Sequence, residues 1–285
     1  MKKLISLLLV TAMLVIGAFT FASCGNKDVV KVIDISLSEE EYAFCVNQAD
    51  NTLKDQVNTF IAKIKSNGVF DQICNNYFGN GTPLSVTSAT LDASKDQLVV
   101  ATSTGFEPFE MVDAQGKYSG IDMEIAYYLA QELGKELVIQ DMQFEGVVPS
   151  VQSGNCDIGM AGLSVTPARA EIVNFTTAYY NAGQVLVVKA DDKTFDDCKT
   201  KEDVEAILAA LTSSAKIGCQ KGTTGEIYIE GDADDPDGYG FTGLKATKMA
   251  YDYVALAINA MVNGQIDYVI VDNGPANAVA NSING

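Results

Sequence analysis

The stretch FEGVVPSVQSGNCDIGMAGLSVTPARAEIVNFTTAYY, residues 144–180, contains the features that decide the fold. Within it, the run 157–161 predicts a strand, and small and hydroxyl residues follow before a helix that begins near Pro167. In parallel sheets, ligands bind where the strands end. We therefore expect a ligand site directly after residue 161.

Arg169 lies at the start of the helix predicted within this stretch and is the single arginine of the chain. The planar guanidinium binds a carboxylate through two parallel hydrogen bonds, a geometry that the ammonium of a lysine cannot reproduce. Arg169 is therefore a candidate anchor for a carboxylate ligand. The alternative is a surface or structural ion pair.

Outside this stretch, strand-like runs alternate with helical ones. Strands are predicted at 98–101, 157–161, 184–188, 216–219 and 268–271. The apolar periodicity predicts helices at 52–68, 69–77 and 121–133. The alternation favours an α/β fold with largely parallel sheets. Residues 79–97 show little periodicity and are interpreted as a linker.

The composition excludes several classes of function. Of 285 residues, 19 are Lys or Arg and 37 are Asp or Glu, so the net charge is −18 at pH 7. This charge repels phosphate groups, so no nucleic acid partner is expected. The chain lacks His, which removes Ser-His-Asp triads and His-ligated metal sites.

Residues 1–23 have the pattern of an export signal, with two lysines before an apolar run and small residues before Cys24. The tetrad at 21–24 resembles a bacterial lipobox, which implies a lipid anchor on Cys24, a tether at 24–28 and the extracellular face of the bacterial cytoplasmic membrane. The alternative is an uncleaved membrane-spanning helix. Both readings place the body of the protein outside the cytoplasm.

Two further features leave alternatives open. An odd number of cysteines follows Cys24, so free thiols compete with one or two disulfides among Cys45, Cys74, Cys156, Cys198 and Cys219. Their spacings contain no CxxC, so no metal site is predicted. A cluster of aspartates before Gly238 suggests a calcium loop, but Pro236 and Gly243 do not fit the spacing of such a loop. The preferred interpretation is a solvated acidic loop, formed by Asp232, Asp234, Asp235 and Asp237.

Five patterns resemble one known family. They are GFEPFE at 105–110, GIDMEIAYYLAQELG at 120–134, the stretch at 144–180, IGCQKGTTGE at 217–226 and VNGQIDYVIVDNGPA at 262–276. The chain resembles the extracellular polar-amino-acid-binding proteins of ABC importers. This resemblance implies a two-lobed α/β fold of the periplasmic-binding-protein type II, with two mixed, mainly parallel sheets.

The resemblance also implies a binding site for a free amino acid. Arg169 would hold the α-carboxylate, and Asp272 would hold the α-ammonium, although Asp272 could instead cap a helix. The carbonyl of Gly162 and the hydroxyl of Ser164 would also meet the ammonium. The backbone N–H groups of Thr223 and Thr224 would add donors from the opposite lobe. Further site residues implied are Ser103, Phe106, Phe144, Ala161 and Gln220.

The ligand side chain is predicted to be neutral and polar, or the ligand to be cystine. Where binders of basic or glutamine side chains in the family often have an acid, this chain has Ser103, although Glu107 lies nearby. An acidic ligand would need a second cation, for which Lys221 is the evident candidate. Gln220 could form a hydrogen bond with the tip of a polar side chain.

The order of segments resembles a circular permutation of this family, because 29–79 looks like the portion that usually ends the chain. The predicted small lobe is 29–41 plus 189–285, and the large lobe is 47–78 plus 98–183. Hinge strands are expected at 42–46 and 184–188, and the linker 79–97 would join the usual termini. The competing view makes residues 25–78 an unrelated helical appendage.

The resulting prediction is a monomeric receptor that captures an amino acid between two closing lobes and delivers it to membrane permease subunits, with no cofactor and no catalytic residue. An alternative is an enzyme similar to cyclohexadienyl dehydratases, with Glu107 or Glu226 as the acid. A sensory module is a third possibility.

Overall fold

The computed structural model describes residues 28–232 and 238–285. The predicted export signal, Cys24 and most of the acidic loop lie outside these ranges. The helices of the described chain are α1 (Asn51–Ser66), α2 (Val69–Phe78), α3 (Ile121–Leu133), α4 (Phe144–Gln152), α5 (Pro167–Ala170), α6 (Lys201–Ala210), α7 (Thr224–Glu230), α8 (Val254–Val262) and α9 (Asn273–Asn284).

The strands fall into two five-stranded sheets and two short ribbons. In chain order they are β1 (Val30–Ile33), β2 (Glu40–Tyr42), β3 (Cys45–Asn47), β4 (Gln97–Thr102), β5 (Met111–Val112), β6 (Tyr118–Ser119), β7 (Glu136–Asp141), β8 (Ile158–Gly159), β9 (Val173–Phe175), β10 (Tyr180–Ala182), β11 (Gln184–Lys189), β12 (Lys216–Gln220), β13 (Thr247–Tyr251) and β14 (Tyr268–Asp272).

One sheet has the order β7-β4-β8-β3-β9 and forms the large lobe. β4 is parallel to β7 and β8, whereas β3 is antiparallel to β8 and β9. Successive side chains of a strand point to opposite faces. Leu98 and Val100 accordingly join the apolar cluster that includes α1 and α3, while Ala101 packs in the cluster that includes α4. The sheet is therefore covered by helices on both faces.

The other sheet has the order β1-β11-β14-β12-β13 and forms the small lobe. β12 is parallel to β13 and β14, and β11 is antiparallel to β1 and β14. Val185 and Val187 face the cluster with α8 and α9, and Leu186 and Val188 face the cluster with α6 and α7. The predicted mixed α/β class is confirmed. The sheets are not mainly parallel as predicted, because β3 and β11 each run antiparallel to both of their neighbours, which makes antiparallel pairs as numerous as parallel ones.

A two-stranded ribbon crosses between the lobes. β2 pairs antiparallel with β10, with Glu40 opposite Ala182 and Tyr42 opposite Tyr180. The predicted hinge strands at 42–46 and 184–188 lie a few residues later, and most of them belong to β3 and β11 of the two lobe sheets. The ribbon thus lies on the N-terminal side of both segments, and the hinge strands stay a prediction.

The predicted helices and linker correspond to observed segments. α1 buries Leu53, Val57, Phe60, Ile61 and Ile64, the residues on which its periodicity depended, and Asp50 caps it by accepting from the Leu53 N–H at 2.9 Å. Residues 79–96 contain no regular helix or strand, although Val86 exchanges backbone hydrogen bonds with Tyr118. The segment therefore runs along the large lobe.

The cysteines that follow Cys24 are all free thiols, so the structure favours this alternative over disulfides. Burial raises the pKa of the Cys45 and Cys219 thiols to about 12, which keeps both protonated. In the described ranges, no helix combines the length and apolar character required to span a membrane.

Candidate ligand-binding site between the lobes

Arg169 projects from α5 of the large lobe. The helix begins at Pro167, and the Thr166 hydroxyl caps it by accepting from the Arg169 N–H at 3.2 Å. The guanidinium donates to the carbonyl of Ser164 at 2.6 Å and to the carbonyl of Gly222, in the small lobe, at 2.9 Å. Burial lowers the pKa of Arg169 from its ordinary value, but a guanidinium remains charged at neutral pH. Arg169 is therefore a cation held at the junction of the lobes.

Two predicted aromatic residues border this cation. Phe144, at the start of α4, lies under the guanidinium, with 5.1 Å between the ring centroid and Cζ of Arg169. Phe106 is buried and packs against Gly162, where a Cβ would lie 2.7 Å from Cε1 of Phe106. Gly162 has φ +52°, a conformation that favours glycine, so both the backbone and the space require glycine here.

Asp272 ends β14 of the small lobe and is only 3% exposed. It precedes α9, but its side chain makes no capping hydrogen bond. Its carboxylate accepts from the hydroxyl of Tyr42 at 2.6 Å. Burial, and then the nearby charge of Glu40, raise the pKa of Asp272 to about 7. Among the described residues Asp272 forms no salt bridge, and a cation bound beside it would stabilise its ionised form.

Glu40, in the crossing ribbon, is a site residue that the sequence analysis missed. Its carboxylate is 4% exposed and lies between the lobes. Oε2 accepts from the hydroxyls of Ser164 and Thr224, each at 2.6 Å, and Oε1 accepts from Ser38 at 2.6 Å and from the Gln184 amide at 3.0 Å. One buried carboxylate therefore connects the hydroxyls of two predicted site residues, one from each lobe.

The other predicted residues surround this group less directly. Ser103 and Gln220 are buried, and neither Ser103 Oγ nor Gln220 Oε1 has a hydrogen-bond partner among the described residues. Thr223 donates its hydroxyl to the carbonyl of Gln220 at 2.8 Å, which fixes the turn before α7. Ala161 is buried and follows β8 after Met160.

The arrangement brings Arg169, Ser164, Thr224 and Asp272 to one interlobe junction. Lys221 is not part of it, because its ammonium donates to Asp252 at 2.6 Å. Two more interlobe hydrogen bonds flank the junction: Tyr239 donates to the carbonyl of Val165, and Gln143 donates to the hydroxyl of Tyr253, both at 3.0 Å. The lobes are thus in contact across the cleft.

The missed residues Glu40, Tyr42 and Gln184 have weak sequence signals. The one sequence signal for them was the acidic run at 39–41, which lies directly before an apolar stretch. A carboxylate next to a buried segment needs hydrogen-bond partners.

The fold and this interlobe site define a periplasmic binding protein of type II. Residues 98–229 match the family model of bacterial extracellular solute-binding proteins, family 3. The chain belongs to this family.

Three similar proteins illustrate the relationship. ABC transporter arginine-binding protein 1 of Escherichia coli (strain K12) is 28% identical over 194 residues, covering 67% of this chain and 70% of that protein. The holo form of ArgBP from T. maritima is 32% identical with a TM-score of 0.54, covering 66% of this chain and 74% of that one.

The third similar protein is an ancestral amino acid-binding protein described as a precursor of cyclohexadienyl dehydratase. It is 30% identical with a TM-score of 0.55, covering 66% of this chain and 76% of that one. The family and fold expected from the sequence are confirmed.

Proposed function

We propose that this protein captures a free amino acid between its lobes and delivers it to the permease of an ABC transporter. The observation that carries the proposal is the joint placement of Arg169 and Asp272. They come from opposite lobes, and the charge of Asp272 lies close enough to Arg169 to raise its pKa against the effect of burial. A zwitterion presents a carboxylate to the first and an ammonium to the second, so it satisfies both lobes at once.

Binding then couples to closure. In an open form, each lobe offers one half of the site, and the ligand gains its full set of contacts only when the lobes meet. A ligand shifts a conformational equilibrium only by its differential affinity for the two states. Because the carboxylate and the ammonium of the ligand are both bound only in the closed form, ligand binding stabilises closure of the lobes. No covalent step is required, so we propose a binding protein without turnover.

We propose a neutral polar amino acid or cystine as the ligand. The oxygens of Ser103 and Gln220 that have no partner in the described chain could pair with a polar side chain. An acidic side chain is disfavoured, since Lys221 is already paired with Asp252 and since Glu40 and Asp272 add negative charge at the junction. The arginine-binding relatives make a basic amino acid the principal competitor in a screen.

We also propose the circular permutation and the lobe boundaries stated above. The large-lobe elements β3, α1 and α2 precede β4 in the chain, while the family match starts at residue 98, within β4. Asn284 pairs with the other end of the described chain, since its side chain bonds the backbone of Val29 and Val30 at 2.8–3.1 Å. Segments so close in space can be exchanged in order.

The lipid anchor on Cys24, the monomeric state and the position at the outer face of the membrane belong to the same proposal. Residue 24 lies outside the described ranges, so the sequence pattern alone supports the anchor. Membrane permease subunits would be the partners that receive the ligand.

A thermal-shift screen with the twenty amino acids tests the proposal. We expect at least one amino acid to stabilise the wild type and to bind about a hundredfold more weakly to Arg169→Ala, as lost charged hydrogen bonds predict. Lys221→Ala is the matched control, since this nearby cation is paired elsewhere, and it should bind normally. Stabilisation by none of the amino acids, or normal binding by Arg169→Ala, would contradict the proposal.

The dehydratase alternative draws on the similarity to the ancestral precursor protein. Of its two candidate acids, Glu226 accepts from the Gly222 N–H at 2.7 Å and pairs with Lys248, so its carboxyl group already has partners within its own lobe. Consumption of prephenate or arogenate by the purified protein would support the enzyme. Their persistence alongside amino acid binding would support the receptor.

A further inference from the structure

We propose that Glu40 is a positioning residue for the ligand site. By accepting the protons of the Ser164 and Thr224 hydroxyls, it leaves both hydroxyls as hydrogen-bond acceptors, so that they select an ammonium group. This inference rests on the proposed function and adds a residue to it. It depends on four hydrogen bonds to one buried carboxylate and on the fact that a hydroxyl can donate only one hydrogen bond.

The argument begins with the number of donors. A hydroxyl has one proton to donate and two lone pairs that accept, and a carboxylate can only accept. The hydroxyl oxygens of Ser164 and Thr224 each lie 2.6 Å from Oε2 of Glu40, so each hydroxyl donates its single proton to that oxygen. Toward any further group, both hydroxyls can act only as acceptors.

The remaining acceptor sites are few. Thr224 Oγ1 already accepts from the Gln184 amide at 2.9 Å, which leaves one lone pair, and Ser164 Oγ retains two. A ligand group that reaches these oxygens must therefore donate hydrogen bonds. An α-ammonium has three donors, whereas a carboxylate has none and would be repelled by the lone pairs. The carboxylate end is directed instead to Arg169.

Glu40 is itself held rigidly. The hydroxyl of Ser38 and the amide of Gln184 occupy Oε1 at 2.6 and 3.0 Å, and the Gln184 N–H donates to the Ser38 hydroxyl at 2.8 Å. The four hydrogen bonds hold the carboxylate from both of its oxygens, so turning the side chain would break several of them. The flanking residues Glu39 and Glu41 are exposed, so neither shares this role.

The test compares the dissociation constants of the best-binding L-amino acid from the screen and of its 2-hydroxy acid counterpart, which lacks the ammonium. We expect Glu40→Gln to weaken the amino acid about tenfold or more while changing the hydroxy acid little, because one hydroxyl can then turn its proton to the cleft. Glu41→Gln removes the same charge one residue away and should leave both constants unchanged.

Two further variants separate positioning from the simple loss of a negative charge. Glu40→Asp keeps the charge but shortens the reach, so we expect it to weaken the amino acid as well. In a Ser164→Ala/Thr224→Val background, Glu40→Gln should have less than about a twofold effect, since the hydroxyls through which it acts are gone. Melting temperatures confirm that each variant is folded.

The outcomes are distinct. An undiminished effect in the hydroxyl-free background, or full affinity in Glu40→Asp, would overturn the role of Glu40 and leave the receptor proposal intact. If Glu40→Gln does not fold, the Glu40→Asp result decides the question alone. Absence of any amino acid binding by the wild type would overturn both.

Discussion

Asp272 and Asp122 are two buried carboxyl groups with nearly the same surroundings and different positions. Each is at most 3% exposed, each accepts from a tyrosine hydroxyl at 2.6 Å, and burial raises the pKa of each to about 7. Asp122 also accepts from the Gly162 N–H at 2.9 Å and lies inside the large lobe. Asp272 lies where the lobes meet, beside Glu40.

The comparison shows that a raised pKa reports burial and does not by itself identify a binding residue. Asp122 has two donors from its own lobe and braces Gly162, so its surroundings are complete without a ligand. Asp272 has the charge of Glu40 nearby, which makes its ionised form costly until a cation arrives. Position across the cleft therefore distinguishes the proposed binding group, Asp272, from the carboxyl group inside one lobe, Asp122.

Replacing each aspartate by asparagine gives the largest expected contrast. Asp272→Asn should weaken amino acid binding by about 10- to 150-fold, the loss expected for a charged hydrogen bond of ~1.5–3 kcal/mol. Asp122→Asn should change the dissociation constant only a few-fold. Isothermal titration measures both, and similar losses in the two variants would remove the distinction between them.

The pH dependence of binding sharpens the same contrast. An ammonium beside Asp272 stabilises its ionised form, so binding below the pKa of about 7 must release a proton. Affinity should therefore fall as the pH decreases below about 7, by up to about tenfold per pH unit, and level off above it.

The two asparagine variants serve as controls for this pH profile. The slope should disappear in Asp272→Asn and persist in Asp122→Asn. An unchanged slope in Asp272→Asn would show that another group takes up the proton.

A smaller effect is expected from Gly162→Ala, since Gly162 connects Asp122 with the ligand site. The new Cβ would lie 2.7 Å from Phe106, and φ of +52° strains any other residue, so affinity should fall several-fold and stability by about 1 kcal/mol or more. Gly154→Ala is the control, because Gly154 also has a positive φ, of +75°, with open space around it. Equal ligand affinity in the two variants would contradict the packing argument.

The smallest expected effect is a change in how the melting temperature depends on pH, caused by Asp122. Between the ordinary pKa of 3.8 and about 7, the folded protein keeps the proton of Asp122 while the unfolded chain releases it. The contribution of this group to stability therefore falls as the pH rises through that range and is constant above it. Differential scanning fluorimetry without ligand should show a weaker decline for Asp122→Asn than for the wild type, and equal declines would argue against a buried titrating group.

The sequence predicted the parts of the molecule that depend on local patterns. Apolar periodicity located α1 and α3, and the change from an apolar strand to small and hydroxyl residues located the segment that leads into α5, the helix that holds Arg169. The solitary arginine pointed to a carboxylate anchor, and the structure places its side chain at the junction of the lobes.

The network around Glu40 could not be predicted from local patterns. Its members lie at positions 38, 164, 184 and 224, and only the crossing of the chain between the sheets brings them together. The crossing ribbon was not predicted either, because its strands, Tyr180–Ala182 and Glu40–Tyr42, contain polar residues and lack the pattern of buried strands. Long-range pairing decides both features.

The most direct test of the central claim is a crystal structure of the protein with the amino acid that stabilises it most. We predict the α-carboxylate on the guanidinium of Arg169 and the α-ammonium within hydrogen-bond distance of Asp272, with both lobes in contact with one ligand. A ligand bound to one lobe alone, or away from these two residues, would contradict the account.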